Sequence, residues 1–328
     1  MAKLLVTGGA GYVGSICSTI FLEHGHDVVV VDDLSTGFRD AVPEGAAFYE
    51  MDIANRAGIT DVVLRHSIDA VFHFAAKALI PESIKDPGVF FDRNLASSIA
   101  LLEAVRHAGV QRFVFSSTAA VYGNPQQIPI PEDHPTQPVN AYGETKLALE
   151  RALEWYARAY GWTAVAFRYF SAAGALPNRG ERHCPETHLL PLVLEAAVGQ
   201  RPSFSIYGDD YDTPDGTCLR DFVHVRDLAA AHLKALDLSP GSGFHVFNVG
   251  SGEMYSVRQI CTAVERLTGH SFDIRIAPRR AGDPPLLCAS PQRLMRQLNW
   301  KPGYSDLDTI LRDAWNWTLR GHRTTGAS

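Results

Sequence analysis

An α/β fold, a doubly wound parallel sheet with a smaller α/β domain toward the C-terminus, follows from three features of the 328-residue sequence. The stretch from Lys3 to Asp33 reads strand, glycine-rich turn, helix, strand. Short apolar runs then alternate with amphipathic helical segments as far as Tyr169, the pattern of a parallel sheet with crossover helices. After Ala175 that alternation stops and the pattern turns irregular. The expected division is residues 1–175 for the parallel sheet, 176–320 for a second domain and 321–328 for a flexible tail.

Leu4-Leu5-Val6 opens as a buried strand and breaks into Thr7-Gly8-Gly9-Ala10-Gly11-Tyr12-Val13-Gly14. Ile16, Ile20 and Phe21 carry a helical period to Gly25, and Val28–Val31 is a second strand closing on Asp32-Asp33. Glycines at such a turn let the backbone bend sharply and let a pyrophosphate approach the first N–H groups of the helix, where the dipole favours negative charge. An acid ending the second strand is placed to accept from a ribose 2′-hydroxyl. An ordinary tight turn does not account for three spaced glycines together with that acid. The opening is therefore read as the dinucleotide site of a Rossmann-type domain. Asp32 and Asp33 would repel a 2′-phosphate, and the nearest basic residue along the chain is Arg39, so NAD is favoured over NADP.

Ala47–Ile53 is a third strand whose Asp52 suits the adenine end of the cofactor. A helix carrying Ile59, Val62 and Val63 leads to a fourth strand, Asp69–Ala76, whose exit has small side chains that let backbone pass close to a ligand. His73 reads as a packed strand residue. Asn94–Ala108 is a helix ended by Gly109. Arg112–Phe115 is a fifth strand stopping at Ser116-Ser117-Thr118, hydroxyls that fall in the crevice beyond the carboxyl ends of the strands. A loop with five prolines, Tyr122–Asn140, precedes a helix running to Tyr160. On it Tyr142 and Lys146 stand at i and i+4, on one face. A free tyrosine, with a pKa near ~10, is a poor base at neutral pH. An ammonium beside it, with a cationic nicotinamide, favours the phenolate.

Ala164–Tyr169 is the sixth strand. Beyond it come a helix at Leu189–Val198, a strand-like run Phe204–Tyr207, the turn DDYDTPDGT, Leu219–Val225, and Phe244–Val249, which is placed to return to the sheet. A helix at Val257–Leu267, the pair Arg279-Arg280 and a Trp-containing helix, Leu307–Leu319, close the chain. Arg220 and Arg280 suit a diphosphate; surface pairing with Asp221 and Asp283 is the competing reading.

The composition, 46% hydrophobic and 20% charged, is that of a soluble globular protein. A formal net charge of −6 without a long basic run argues against nucleic acid. No apolar stretch has transmembrane length and no signal peptide is visible, so neither membrane nor export is expected. Five cysteines without CxxC spacing fit a reduced, cytoplasmic protein with neither a disulfide framework nor a metal site.

The motifs TGGAGYVGS, DDLSTG, HFAAK, FSSTAAVYG, AYGETK, RYF, IYGDDYDTPDGTCLRDFVHV and APRRAGDPP resemble those of the extended short-chain dehydrogenase/reductases, and among them the UDP-glucose (UDP-galactose) 4-epimerases. The glycine turn and Tyr-x-x-x-Lys mark only the superfamily; the long YGDDYDTPDGTCLRDFVHV run and PRRAGDP are more specific. The resemblance runs from Leu4 to about Trp317. It implies NAD contacts at Gly8, Gly11, Tyr12, Val13, Gly14, Asp32, Asp33, Leu34, Ser35, Asp52, Ile53, Phe74, Ala75, Ala76, Lys77, Asn94 and Phe170, and a catalytic group of Thr118, Tyr142 and Lys146. It implies a UDP-sugar substrate held by Ser171, His188, Tyr207, Arg220, Arg280, Asp283 and Leu287, with Tyr207 near the uracil. It also implies a homodimer joined by a bundle of two helices from each subunit, Asn94–Ala108 and Gly143–Tyr160. Ser171 stands where the family usually has Asn, and Leu287 where some members carry Tyr and others a small residue gating an N-acetyl group. Both departures bear on the sugar.

The reaction so implied is 4-epimerisation of a UDP-hexose through a transient 4-keto sugar. Other UDP-sugars (N-acetylhexosamines, pentoses or uronates) are the nearest alternatives. A 4,6-dehydratase needs an Asp-Glu pair after the active-site Thr and a uronate decarboxylase a Glu at the first of those positions; Ala119-Ala120 provide neither. A non-catalytic NAD-binding protein would usually lack the Tyr or the Lys.

Overall fold

The computed structural model describes residues 1–280 and 284–325. At its centre is a sheet of β1 (Lys3–Thr7), β2 (Asp27–Asp32), β3 (Ala47–Glu50), β4 (Ala70–His73), β5 (Arg112–Thr118), β6 (Thr163–Tyr169) and β7 (Gly243–Val249). Their spatial order is β7-β6-β5-β4-β1-β2-β3, with every pairing parallel. Strand order reverses between β1 and β4, and in open α/β sheets the crevice above such a reversal is where ligands lie.

The helices that shape this crevice are α1 (Tyr12–Glu23), α2 (Arg56–His66), α3 (Ser97–His107), α4 (Ala141–Tyr160), α5 (Leu189–Ala197), α6 (Val225–Lys234), α7 (Val257–Thr268) and α8 (Leu307–Thr325). Alternation along the strands divides the core in two. Leu4, Val6, Val30 and Phe72 face α1 and α6, while Leu5, Val29, Val31 and Val71 face α2, α3 and α4. With both faces covered, the strands read as unbroken apolar runs rather than as alternating ones. A separate cluster, in which Leu190, Val193, Phe204, Ile206, Ile260, Val264, Ile310 and Leu311 join, holds α5, α7 and α8 around the small parallel pair of Phe204–Tyr207 with Ile274–Ala277. After leaving the first layer the chain returns to it through α6 and β7, and again with Leu294, Leu298 and Trp300.

Three details depart from expectation. β5 does not end at Phe115: Ser116, Ser117 and Thr118 stay in the ladder, opposite Phe167, Arg168 and Tyr169. The helix expected from Asn94 begins as a π-helical segment, Phe91–Ala96, and becomes α-helical only at Ser97. There Asn94 Nδ2 donates to Lys77 O (2.9 Å) and Ser98 Oγ to Asn94 O (2.7 Å), bonds that tie the segment to the β4 exit and to its own next turn. Single π-turns of this kind are found mostly at functional sites. The last helix, α8, runs on to Thr325, into the segment expected to be tail. One glycine, Gly321, costs a helix about 1 kcal/mol and does not stop it.

Beneath the crevice lies a buried polar frame. Arg168 on β6 is 5% exposed and Glu150 on α4 is 3% exposed. Arg168 Nη2 donates to Glu150 Oε2 at 2.6 Å and Nε to Oε1 at 3.1 Å. Ser117 Oγ on β5 donates to the same carboxylate. Arg168 Nη1 donates to Tyr122 Oη (2.9 Å) and Glu132 O (3.1 Å), and Tyr122 Oη donates to Asn248 Oδ1 on β7 (2.7 Å). Removing one partner of such a pair leaves a buried charge uncompensated, at a cost of about 3–5 kcal/mol. Glu150→Leu should therefore lower urea stability by that amount, and Glu150→Leu/Arg168→Met should recover most of it. A single variant as stable as the parent would show that the pair holds nothing together.

Candidate active site

The cleft above the sheet has a volume of about 1090 Å³. It runs from Asp32 and Asp33 at the end of β2, and from Asp52 two residues past β3, by way of the glycine turn to Thr118, Tyr142 and Lys146, and on to Tyr207, Arg220 and Arg280. β3 ends at Glu50 rather than at the expected Ile53. Its first wall is the turn between β1 and α1. Gly8 has φ +73°, and a Cβ there would lie 2.4 Å from Ala75 N; at Gly14 it would lie 2.2 Å from Gly8 O. Only glycine lets this turn press both on the exit of β4 and on its own helix. α1 starts after Gly11 without a side-chain cap, and its first turn lines the cleft. These features fit a dinucleotide, whose diphosphate an uncapped helix N-terminus receives.

Asp32 is buried: its Oδ2 accepts from Ala10 N (2.9 Å) and its Oδ1 from Leu34 N (2.9 Å), while burial raises its pKa. It shapes the turn as well as lining the cleft. The basic residue nearest these acids in space is Arg93, not Arg39. Arg93 Nη1 lies 2.7 Å from Asp52 and 3.9 Å from Asp33, whereas Arg39 stacks on Phe48 at 4.1 Å. Nothing in the sequence spacing marks Arg93, because the π-helical segment sets its direction. The acids still outnumber it, so the charge argument against a 2′-phosphate stands with Arg93 engaged.

Of the expected site residues, Leu34, Asn94 and Leu287 do not line the cleft. Leu34, at φ 57°, contributes its N–H to Asp32. Asn94 is buried, and its Oδ1 accepts from Lys77 N (2.8 Å), which fixes the β4 exit loop. Leu287 is half-buried against the cluster of Ala119, Tyr122 and Phe170, and pairs in register with Arg220. Asp283 lies outside the described residues. The other expected residues, Ser35, Ile53, Phe74, Ala76, Phe170, Ser171 and His188 among them, line the cleft.

The chemistry gathers where β5 meets α4. Asn140 caps α4, its side chain accepting from Gly143 N at 2.8 Å. A Cβ on Gly143 would come within 2.7 Å of Ala120 O, so the helix starts hard against the turn after Thr118. That contact brings Tyr142 to the Thr118 hydroxyl. Burial pushes the Tyr142 phenol up to about 12, and the hydrogen bond with Thr118 pulls the other way. Burial also pulls Lys146 down to about 7, opposed by Glu150 one turn further on. Lys146 Nζ donates to Ser116 O at 2.9 Å and lies 5.7 Å from the Tyr142 ring centroid. In the protein alone, burial thus outweighs the hydrogen bond and favours the neutral phenol. His73, bonded to Thr7 Oγ1 (2.7 Å) and Ser98 Oγ (2.8 Å), is held by burial at about 3 and is a neutral strut.

At the other end the Arg280 guanidinium stacks on Tyr207 at 3.8 Å. The pairing of Arg220 with Asp221 weighed above is not the arrangement seen. The Asp221 carboxylate accepts from Ser251 N (2.7 Å), Gly252 N (3.0 Å) and Ala289 N (2.9 Å), while Arg220 Nη1 donates to Leu219 O (2.9 Å). Both arginines line the cleft.

A nucleotide cradle joined to a Thr/Tyr/Lys group defines the class: the chain belongs to the NAD dependent epimerase/dehydratase family, whose model matches residues 4–250. Within it the chain is similar to UDP-glucose 4-epimerases. That of Streptomyces lividans is 50% identical over 96% of this chain and 95% of its own. The crystal structure of UDP-glucose 4-epimerase from Brucella ovis in complex with NAD superposes with a TM-score of 0.93 at 43% identity, covering 96% of this chain and 98% of that one. The structure from Bifidobacterium longum in complex with NAD+ and UDP gives 0.93 at 34% identity, covering 98% and 99%.

The depressed lysine has a measurable sign. Unfolded, Lys146 takes its ordinary 10.5; folded, about 7, so between those values the unfolded chain binds the extra proton. Stability then rises with pH across that window. In nucleotide-free protein the stability of the parent minus that of Lys146→Met should increase from pH 7 to 10. A flat difference would mean that the folded lysine keeps its ordinary affinity for protons.

Proposed function

We propose that the protein is an NAD-dependent 4-epimerase of UDP-hexoses, with UDP-glucose and UDP-galactose as the interconverted pair. The observation that carries this reading is the meeting of Thr118, Tyr142 and Lys146 in the cleft that the glycine turn also lines, with Ala119 and Ala120 where a dehydratase would need acids. Gly8, Gly11 and Gly14 with the first turn of α1 would hold the diphosphate of NAD, and Asp33 and Asp52 its adenosine. When bound, NAD supplies the acceptor and later the donor of hydride at the sugar C4 and, oxidised, the positive charge that Lys146 alone does not provide.

Tyr142 Oη takes the proton from the sugar 4-hydroxyl as that carbon is oxidised, and returns it when the 4-keto sugar is reduced on its other face. Thr118 Oγ1 shares the hydrogen bond at the same oxygen. Lys146 grips the cofactor ribose and holds the phenolate once formed. Arg220 and Arg280 anchor the diphosphate and Tyr207 the base, whereas Phe170 and Ser171 border the sugar. A firm grip on the nucleotide and a loose one on the hexose allow the keto sugar to turn over. Ser171 lines the cleft and Leu287 does not, so Ser171 is the first residue to test for which sugar is accepted. The reading extends to tightly held NAD, a homodimer through α3 and α4, and a cytoplasmic role in galactose metabolism.

Incubation of the purified protein with UDP-galactose and no added cofactor should yield UDP-glucose; a 4-keto-6-deoxy product would point to a dehydratase instead. Tyr142→Phe should lose at least ~10²-fold in kcat with NAD still bound, the usual scale for a general base. Near-parental turnover would remove Tyr142 from that role. Arg280→Ala should weaken UDP binding by about 1.5–3 kcal/mol, the scale of a charge-assisted hydrogen bond, in a calorimetric titration. Unchanged affinity would leave Arg280 with no role beyond its stacking on Tyr207.

A further inference from the structure

The loop between β6 and α5 uses one local device twice. In Glu181-Arg182-His183, Glu181 Oε1 accepts from the N–H of Arg182 (2.8 Å) and of His183 (2.9 Å) and lies 2.5 Å from His183 Nδ1. In Glu186-Thr187-His188, Glu186 Oε1 accepts from the N–H of Thr187 and of His188, both at 2.7 Å, and lies 2.8 Å from His188 Nδ1. The two units fold onto each other. Their imidazole centroids are 5.2 Å apart, and Glu181 Oε2 is 3.9 Å from His188 Nδ1. One donor atom each from Glu181, His183 and His188 lies within 4.8 Å of the others.

The backbone beneath this cluster is fastened by groups outside it. Arg182 pairs with Asp40 at 2.6 Å, Arg179 Nε donates to Ala41 O (2.9 Å), and Trp317 Nε1 donates to Glu181 O (2.9 Å). The glutamate side chains are 10% and 6% exposed, while the imidazoles of His183 and His188 are 26% and 43% exposed. All four residues line the cleft, as do Gly11 and Tyr12 of the glycine turn.

We propose that Glu181, His183 and His188 form a binding site for one divalent transition-metal ion of the zinc class. Two imidazoles and a carboxylate are a donor set that zinc takes where a further position is left for water or a ligand. Imidazole nitrogen selects zinc, nickel or copper over magnesium and calcium, which prefer oxygen. Tetrahedral zinc with donor bonds of about 2.0–2.2 Å holds its ligand atoms roughly 3.3–3.6 Å apart. The donor atoms here lie within 4.8 Å of one another, so side-chain movement of roughly an ångström closes the site. Glu186 holds the His188 ring as outer carboxylates hold ligating imidazoles. The remaining coordination positions open on the cleft, within which a water or a phosphate oxygen completes the sphere.

The test uses untagged full-length protein, dialysed against a chelator and titrated calorimetrically with zinc chloride, in parallel with cobalt(II) followed by visible absorption. One ion per chain should bind, with ligand-field bands for cobalt. His183→Gln and His188→Gln should each weaken binding at least ~10-fold, the lower end of what loss of a ligand's own support costs, and Cys184→Ser should leave it intact. Should a histidine variant fail to fold by circular dichroism, Glu181→Gln carries the same test. Absence of binding by the parent, or one-ion binding and cobalt bands that persist in His183→Gln/His188→Gln, would overturn the proposal. Neither readout depends on catalytic activity.

Discussion

The ion pair between Arg168 and Glu150 sets the geometry on which the rest of the cleft depends. Tyr142, Lys146 and Glu150 lie at four-residue steps along α4, on one face. Clamping Glu150 to a guanidinium on β6 and a hydroxyl on β5 therefore fixes how that face is turned. The phenol and the ammonium each have one partner on β5 or at its end, Thr118 for Tyr142 and Ser116 O for Lys146. Both line the cleft, and the clamp one turn further on holds the same helix face toward the sheet.

The same burial sets the electrostatics. A carboxylate one turn from Lys146 would ordinarily keep the ammonium charged, but the charge of Glu150 is already engaged by Arg168. Lys146 is left with a carbonyl, Ser116 O, and the face of Phe115 at 4.8 Å, which stabilise a cation only in part. Burial disfavours both the phenolate and the ammonium, and the site is one that external charge completes. In this reading, proton transfer is tied to the presence of an oxidised cofactor rather than being available to water at all times.

Much of this is legible in the sequence, for physical reasons that differ from element to element. The glycine turn is legible because the contacts of Gly8 and Gly14 exclude any side chain, and the inner strands β1, β2, β4 and β6 because both of their faces are buried. Tyr142 and Lys146 are legible because helical spacing alone places them together. Arg93 is not, since the π-helical segment that directs it depends on Asn94 reaching Lys77, a contact 17 residues away in sequence. The extension of β5 through Thr118 escapes a local reading because hydroxyls read as loop, and only pairing with Phe167–Tyr169 keeps them in the ladder. Asp221 beside Arg220 reads as an ion pair in the sequence; its real partners are amides of residues 251, 252 and 289, which no local pattern announces.

The place of β7 in the chain has a consequence for how the protein is made. When residues 1–175 have left the ribosome, the residues of the glycine turn and of the tyrosine–lysine helix are all present, but β6 still lacks its outer partner. Its partner, Gly243–Val249, arrives only after about seventy more residues, roughly 4–14 seconds later at ordinary rates of synthesis. Asn248, which accepts from Tyr122 inside the polar frame, arrives with it. During that interval the nascent chain carries an unpaired, apolar strand edge beside an unfinished buried network, the kind of surface that other chains can pair with. Completion of the sheet, rather than of the cofactor wall, is then the step that ends its exposure to misassembly.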